Sequence, residues 1–470
     1  MESHAPNQPP VPPKAFRMPV LGSVPSLLLQ RYRFLERARE RCGNIFRVDL
    51  GVGEVTVVGD PILAEEILIR RARHFDKGGE FWEGAREAIG NGLALSEGDL
   101  WRRQRRLMNP EFRRERIAGF ASTITTTIEQ SLPELEPLAS GGENTDISLW
   151  TSKLLATLTV RILLGSELDE ARFVALRDSL GVMLDGILSG VVTRKLPGWV
   201  PVPGVARFEA ARQTVDEIVL SIIAERRATA GTGHDLLSLL LAAVDDEGGM
   251  SDQQLRDEVV LAYTAGYETT AWALAWGLMV LGDEPGLVAE LQAELDRQPD
   301  LRAIPLLDAC VREALRLYPS APLIPRRALV DEQLGGHRIA AGTQLMVSPW
   351  LIHRNPEIWP EPTRFDPYRH VEGTTRPRLS WMPFGAGQRI CIGKGLAMME
   401  ATTALGMLLR RYTPLPASRR RSEPRLSSTL GSRDGIWLRL APRAVARTYA
   451  RARACASVTE RSPVRAQSSG

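Results

Sequence analysis

The sequence predicts a mainly α chain with small β-sheets (α+β), and three observations predict it. Helical patterns follow one another from about Ala118 to Asp245, broken only at Gly141-Gly142, at Gly165, at Pro197 to Gly204 and at Gly231 to Gly233. A capping box, Ser251-Asp-Gln-Gln254, then opens a helix that runs to about Leu281. At ~1.5 Å per residue that helix is ~45 Å long, enough to cross a whole domain. The strand signals are short alternating runs: Ile45 to Leu50 and Val55 to Val58 around Gly51-Val-Gly53, then Arg338-Ile-Ala and Gln344 to Val347.

The elements divide the chain into three parts. Residues 1–16 are a Pro-rich flexible lead-in, with Pro9, Pro10, Pro12 and Pro13 favouring extended geometry. Residues 17–440 form one domain. Residues 441–470 are an Ala/Arg/Ser-rich basic tail, expected to be disordered for want of large apolar groups. Within the domain, Ser26 to Arg41 is helical, and Asp60-Pro61 caps a helix that ends near Arg73. Lys77 to Glu97 reads as a long irregular loop of the kind that carries function. Leu100 to Met108 is a short basic helix. Leu306 to Leu317 is another, closed by Tyr318-Pro319. Pro356 to Pro383 is an aperiodic meander, Gly395 to Tyr412 is helical, and Ser427 to Leu430 with Ile436 to Leu440 reads as a closing hairpin.

Composition excludes several classes. The net charge of +3 is misleading, because the tail alone carries +5 and leaves the other 440 residues at about −2. No nucleic-acid partner is expected on that balance. Cys42, Cys310, Cys391 and Cys455 are too scattered for a zinc site or a disulfide scaffold, which fits a reducing cytoplasm. Val259 to Leu281 is apolar enough to pass for a membrane helix, but it continues an amphipathic pattern without basic flanks, so no membrane span is expected.

The stretch from Trp381 to Gly395 carries the chemistry. Phe384-x-x-Gly387-x-Arg389-x-Cys391-x-Gly393 sets one cysteine among glycines, just before a helix. Gly385 and Gly387 allow a tight turn and close approach of the backbone to a flat ring. The helix N-terminus favours a thiolate at Cys391, lowering its pKa. The pattern resembles the cysteine loop of the cytochrome P450 family. The resemblance spans about Arg17 to Leu440 and implies that family's fold, with the long helix over a heme and the cysteine loop on the opposite face. It implies heme b with Cys391 as axial ligand of the iron, Phe384 shielding the sulfur, and Gly385 and Gly393 shaping the loop. A propionate would pair with Arg389, with Trp101 and Arg105 (i and i+4 on one helix face), and with Arg326.

Three further constellations take meaning beside that loop. Ala265-Gly-Tyr-Glu268-Thr269-Thr270 puts a glycine, an acid and hydroxyls in mid-helix, all poor choices for stability. The family uses such an acid–alcohol pair, here Glu268 and Thr269, to pass protons to O2. Glu313 and Arg316, at i and i+3, can pair. The resemblance adds Arg364 as third member of a structural triad, although Thr363 stands where the family often has Glu. Arg102, Arg103, Arg106, Arg113, Arg114 and Arg116 form either a solvated basic face or a docking patch for an acidic electron donor.

The implied activity is a monooxygenase that inserts one atom of O2 into an apolar small molecule, by hydroxylation or epoxidation of a terpenoid, fatty acyl or polyketide-like skeleton. Electrons would come from a ferredoxin or flavodoxin-type donor with its reductase, and the protein would work as a cytoplasmic monomer. A peroxide-driven or isomerising heme-thiolate enzyme and a heme sensor are the alternatives, and the Glu268–Thr269 pair argues against both. Substrate contacts are expected from Phe81 to Leu95, including Trp82, from Val182 to Val192, from Leu261 to Ala265, from Ala321 to Ile324 with Leu323, and from Ser428 to Leu430.

Overall fold

The computed structural model describes residues 9–18, 22–51, 53–165, 169–193, 204–228, 235–246, 248–371, 373, 375–418, 421–425 and 429–443. Side chains at 80, 81, 170 and 184–193 lie outside the described set.

The long helix spans Asp252–Gly282 and starts on the predicted box. Gln254 donates its amide to Ser251 Oγ at 3.2 Å, and Ser251 donates its own to Gln254 Oε1 at 3.0 Å. From Thr270 on, most of its side chains are buried, in one core with Ile147–Leu164, Pro305–Leu317 and Lys394–Arg411. A helix surrounded this way is apolar on all sides, which is why it mimics a membrane helix in sequence. Trp276 sits at its centre, stacked on Tyr318 at 4.4 Å and donating Nε1 to the Leu430 carbonyl at 2.7 Å. Among the described residues, Ile147–Leu164 is long and apolar enough to cross a membrane, with mean hydropathy 1.4, and 72% of it is buried in the fold.

A five-stranded sheet flanks the helices in the order Ile45–Asp49, Glu54–Val58, Gln344–Val347, Ile324–Ala328, Phe75–Asp76. The pairing is antiparallel except between Glu54–Val58 and Gln344–Val347. The start of the strand Ile324–Ala328, through Ile324, Pro325 and Arg326, lines the cavity described below.

Three expectations change. The stretch from Lys77 to Glu97 holds a helix, Glu80–Ile89. Gly84 lies inside this helix, while Gly79 and Gly90 stand at its ends with φ of 99° and 90°; a Cβ on Gly90 would lie 2.2 Å from Asp257 Oδ1. Ser427 and Ser428 of the expected closing hairpin lie outside the described residues, and the hairpin is not found among the described ones. Trp437–Pro442 pairs instead with Tyr412–Pro416 and Asn144–Asp146, and its last residues lie beyond the expected domain end at 440. Alternation in a short run identifies a strand but not its partner. The tail from 444 and residues 1–8 lie outside the described residues.

Candidate active site

A cavity of about 410 Å³ lies between the long helix and the cysteine loop. Its wall includes Trp82, Trp101, Arg105, Leu261, Ala265, Thr269, Leu323, Ile324, Arg326, Phe384, Gly385, Arg389, Cys391 and Gly393. Ala265 is exposed in mid-helix because it faces this space.

The cysteine loop is folded by its own backbone. Cys391 donates its amide to the Phe384 carbonyl at 2.9 Å, closing the turn. Gly385 and Gly387 have φ of 72° and 68°. Gly387 also packs so closely that a Cβ would meet the Leu68 carbonyl oxygen at 2.1 Å. The helix Lys394–Arg411 follows. Cys391 turns its exposed surface toward the cavity. Its thiol pKa is raised rather than lowered: burial dominates, against the amides of Gly393 and Lys394 and the charge of Arg105. The expected helix effect is present but is outweighed by desolvation, and a metal ion held by the sulfur would reverse that balance.

Cations gather along the cavity wall. Arg326 is buried, and its NH1 donates to the Pro325 carbonyl at 2.7 Å. Burial and the charge of Arg389 bring its pKa down to about 10. Arg389 lies over the Trp101 ring at 3.9 Å, donates to the Ser96 carbonyl at 2.8 Å and pairs with Glu97 at 2.6 Å. Arg105 donates to the Ile390 carbonyl at 3.1 Å. Sequence reasoning missed Lys77, which is buried on the same wall and donates Nζ to the Ala94 carbonyl at 2.5 Å. Its pKa falls well below the usual range through burial and the charges of Arg326 and Arg389. A lone lysine in a glycine-rich stretch gives no periodic signal. Buried cations held largely by carbonyls suit a ligand with anionic groups at this end and a metal at Cys391. Heme b, with its two propionates, fits both features.

On the opposite wall, Thr269 donates Oγ1 to the Ala265 carbonyl at 2.7 Å, and its own carbonyl accepts from Ser320 Oγ at 2.7 Å. Ser320 is a second residue the sequence did not flag. Glu268 is not on the cavity wall. Its Oε1 accepts from Thr429 Oγ1 at 3.1 Å. Leu95 and Leu430 are core residues rather than wall residues. Leu430 is buried with Leu27, Tyr32 and Trp350, and Leu95 with Leu93 and Trp101. The Phe81 side chain, those of 184–192 and all of Ser428 lie outside the described residues.

Behind the loop, Glu313 and Arg316 are fully buried and bidentate, both contacts at 2.8 Å. Arg364 is not their third partner. Its side chain is exposed on Glu361, and only its carbonyl accepts from Arg316, at 3.0 Å. Arg369 takes the place, 3.1 Å from Glu313 Oε1, with His370 Nε2 at 2.9 Å from Oε2. The short 3₁₀ turn Pro367–His370 brings both to a carboxylate that Arg364, further back in the meander, does not reach. Much of the basic face is internally neutralised: Arg103 and Arg106 meet Asp245 at 3.1 Å, Arg102 pairs with Asp99, and Arg116 with Glu111 at 3.5 Å.

The family model for cytochrome P450 matches residues 10–435. The chain is similar to cyclooctat-9-en-7-ol 5-monooxygenase of Streptomyces melanosporofaciens, 33% identical over 420 residues, 85% of this chain and 89% of that one. It is also similar to pentalenene oxygenase of Streptomyces avermitilis, 30% identical over 408 residues, with 84% and 89% covered. A crystal structure of the cytochrome P450DA heme domain superposes with TM-score 0.82 at 24% identity, covering 93% of this chain and 99% of that one. On this match and the cysteine loop, the chain belongs to the cytochrome P450 family, as a monooxygenase with heme b as cofactor and O2 as co-substrate.

Proposed function

We propose that the protein hydroxylates or epoxidises a polycyclic terpenoid, and that the Cys391 sulfur would hold the heme iron. The observation that carries this reading is the wall shared by Cys391 and the long helix. It is chiefly aliphatic above the loop, with Leu93, Leu163, Leu236, Leu261, Leu323 and Ile324. Such a wall binds by burial and selects for bulk and shape. The relatives' names, a cyclooctatenol monooxygenase and a pentalenene oxygenase, favour a terpene over an acyl chain.

Heme bound here supplies the oxidising power that inserts one oxygen atom into an unactivated carbon. The chain's own residues do the rest. Lys77, Arg105, Arg326 and Arg389 would bind the propionates. Thr269 presents a hydroxyl at the groove opposite Cys391 and would hold a proton there, with Glu268 as its more distant supply. Electrons would come from a ferredoxin or flavodoxin-type donor docking near the exposed Arg113 and Arg114. The free thiols Cys42 and Cys310 suit a reducing cytoplasm.

The test is spectroscopic and then chemical. The reduced protein with carbon monoxide should show the red-shifted thiolate–carbonyl Soret band, and Cys391→Ser should abolish it. With a surrogate ferredoxin and reductase, a panel of cyclic terpenes should be turned over and linear fatty acids should not. Preferential oxidation of fatty acids would overturn the terpenoid assignment while leaving the heme site intact.

A further inference from the structure

Glu258 is a charged group on an otherwise apolar stretch of the cavity wall, and nothing above uses it. It lies on the long helix, is fully buried and lines the cavity. Glu258, Ala262, Ala265 and Thr269 fall at i, i+4, i+7 and i+11, one face of that helix. Eleven residues separate Glu258 from Thr269, roughly 16 Å at ~1.5 Å per residue. Its two oxygens differ. Oε2 accepts the Leu93 amide at 3.1 Å, which ties the segment after Glu80–Ile89 to the long helix. Oε1 is buried and has no hydrogen-bond donor among the described residues. Asp257 beside it is fully engaged, with Asn91, Gln253 and Arg256, so the neighbouring carboxylate already serves as the clamp. Burial and Asp257 push the Glu258 carboxyl up to about 7. Leaving an acceptor unsatisfied under an apolar wall is costly, and the cost vanishes when a ligand brings a donor.

Resting on the terpenoid reading, we infer that Glu258 determines specificity by accepting a hydrogen bond from a hydroxyl that the terpenoid substrate already carries. The protein then acts on an alcohol, downstream of the reaction that installs that hydroxyl.

The test is titration of the holoenzyme with three diterpenes of one skeleton: abietadiene, abietadienol and abietadienal. Binding is read from the Soret shift at about pH 8, where the carboxyl is ionised. The wild-type protein should bind the alcohol at least about tenfold more tightly than the hydrocarbon. Glu258→Gln keeps an acceptor for the Leu93 amide but turns an NH2 to the cavity. It should gain affinity for the aldehyde, which can only accept, whereas the alcohol oxygen can also accept from that NH2. Glu258→Asp keeps the charge, withdraws the oxygen and should lose the alcohol preference. Equal binding of alcohol and hydrocarbon by wild type, an alcohol preference that survives Glu258→Asp, or an aldehyde affinity unchanged in Glu258→Gln would reduce Glu258 to a clamp on Leu93. If none of the three diterpenes moves the Soret band, the terpenoid reading itself falls, and this inference with it.

Discussion

His353 accepts the amide of Met382 on Nε2 at 2.9 Å, while its Nδ1 lies 3.1 Å from the Arg316 carbonyl. The carbonyl is an acceptor, so Nδ1 carries the proton and Nε2 is the bare nitrogen. This fully buried imidazole joins the Glu313–Arg316 pair to Met382, two residues ahead of Phe384 in the cysteine loop. The pair therefore braces the heme-binding loop through a neutral histidine as well as through the meander.

That geometry predicts a pH dependence. Burial and the Arg316 charge hold the His353 pKa well below its usual range. The unfolded chain takes up the proton at about 6.5 and the folded one does not. Stability is thus complete above that pH and is lost as pH falls below it, by about 1.4 kcal/mol per unit. His370 is shifted the same way. Glu258 and Glu400, raised to about 7 and about 8, act oppositely and lose stability as pH rises through those values. The opposing groups flatten the wild-type curve, so the comparison must be between proteins. His353→Gln should be less stable at about pH 8 by about 1–3 kcal/mol, and the gap should narrow as pH falls below about 6.5. Urea unfolding across pH checks it, and parallel curves would remove His353 as the titrating link.

Arg369 and Arg364 should behave very differently. Arg369 is buried against a fully buried Glu313, so Arg369→Ala leaves a carboxylate short of a partner. The expected loss is about 3–5 kcal/mol. Arg364 is exposed on Glu361, and Arg364→Ala should stay within about 0.5 kcal/mol. Denaturant midpoints, with heme content as a second readout, decide between them. Equal losses would restore Arg364 to the triad.

The elements that could be read in the sequence are those whose chemistry forces a local pattern. Ser251 and Gln254 must sit three apart to cap a helix, and Cys391 needs Gly387 because a neighbouring carbonyl leaves no room for a Cβ. The triad's third member could not be read the same way, because the meander has no periodicity to say whether Arg364 or Arg369 turns inward. Lys77 was illegible for a similar reason: its role comes from Arg326 and Arg389, which are far away in sequence. Glu80–Ile89 was hidden by the glycines at its ends and by Gly84 within it.

Thr269→Ala should leave the thiolate–carbonyl band intact, since Thr269 lies across the cavity from the sulfur. It removes the hydroxyl proposed to hold a proton there. Product formed per electron consumed should fall by at least about tenfold, with the electrons recovered as hydrogen peroxide. Thr269→Ser keeps the hydroxyl and should retain most of the coupling. Ser320→Ala removes the bond to the Thr269 carbonyl without touching its hydroxyl, and should cost far less. Normal coupling in Thr269→Ala would end the proton-delivery role.

Lys77 gives a prediction in which two readouts move in opposite directions. Its ammonium is buried beside Arg326 and Arg389, with Glu97 as the carboxylate that favours its charge. A buried cation crowded by like charges destabilises the protein until an anion joins it. Lys77→Met keeps the length of the side chain and removes the charge. The heme-free form should therefore become more stable, because an unfavourable charge is gone. The heme-loaded form should release heme about tenfold more readily, because a charge-assisted contact to a propionate is lost. Urea unfolding of the heme-free protein and heme transfer to apomyoglobin measure the two effects separately. A variant that destabilises both forms would mean that Lys77 acts by packing against Trp82, whose ring centre lies 5.1 Å from its Nζ, and not as a propionate partner.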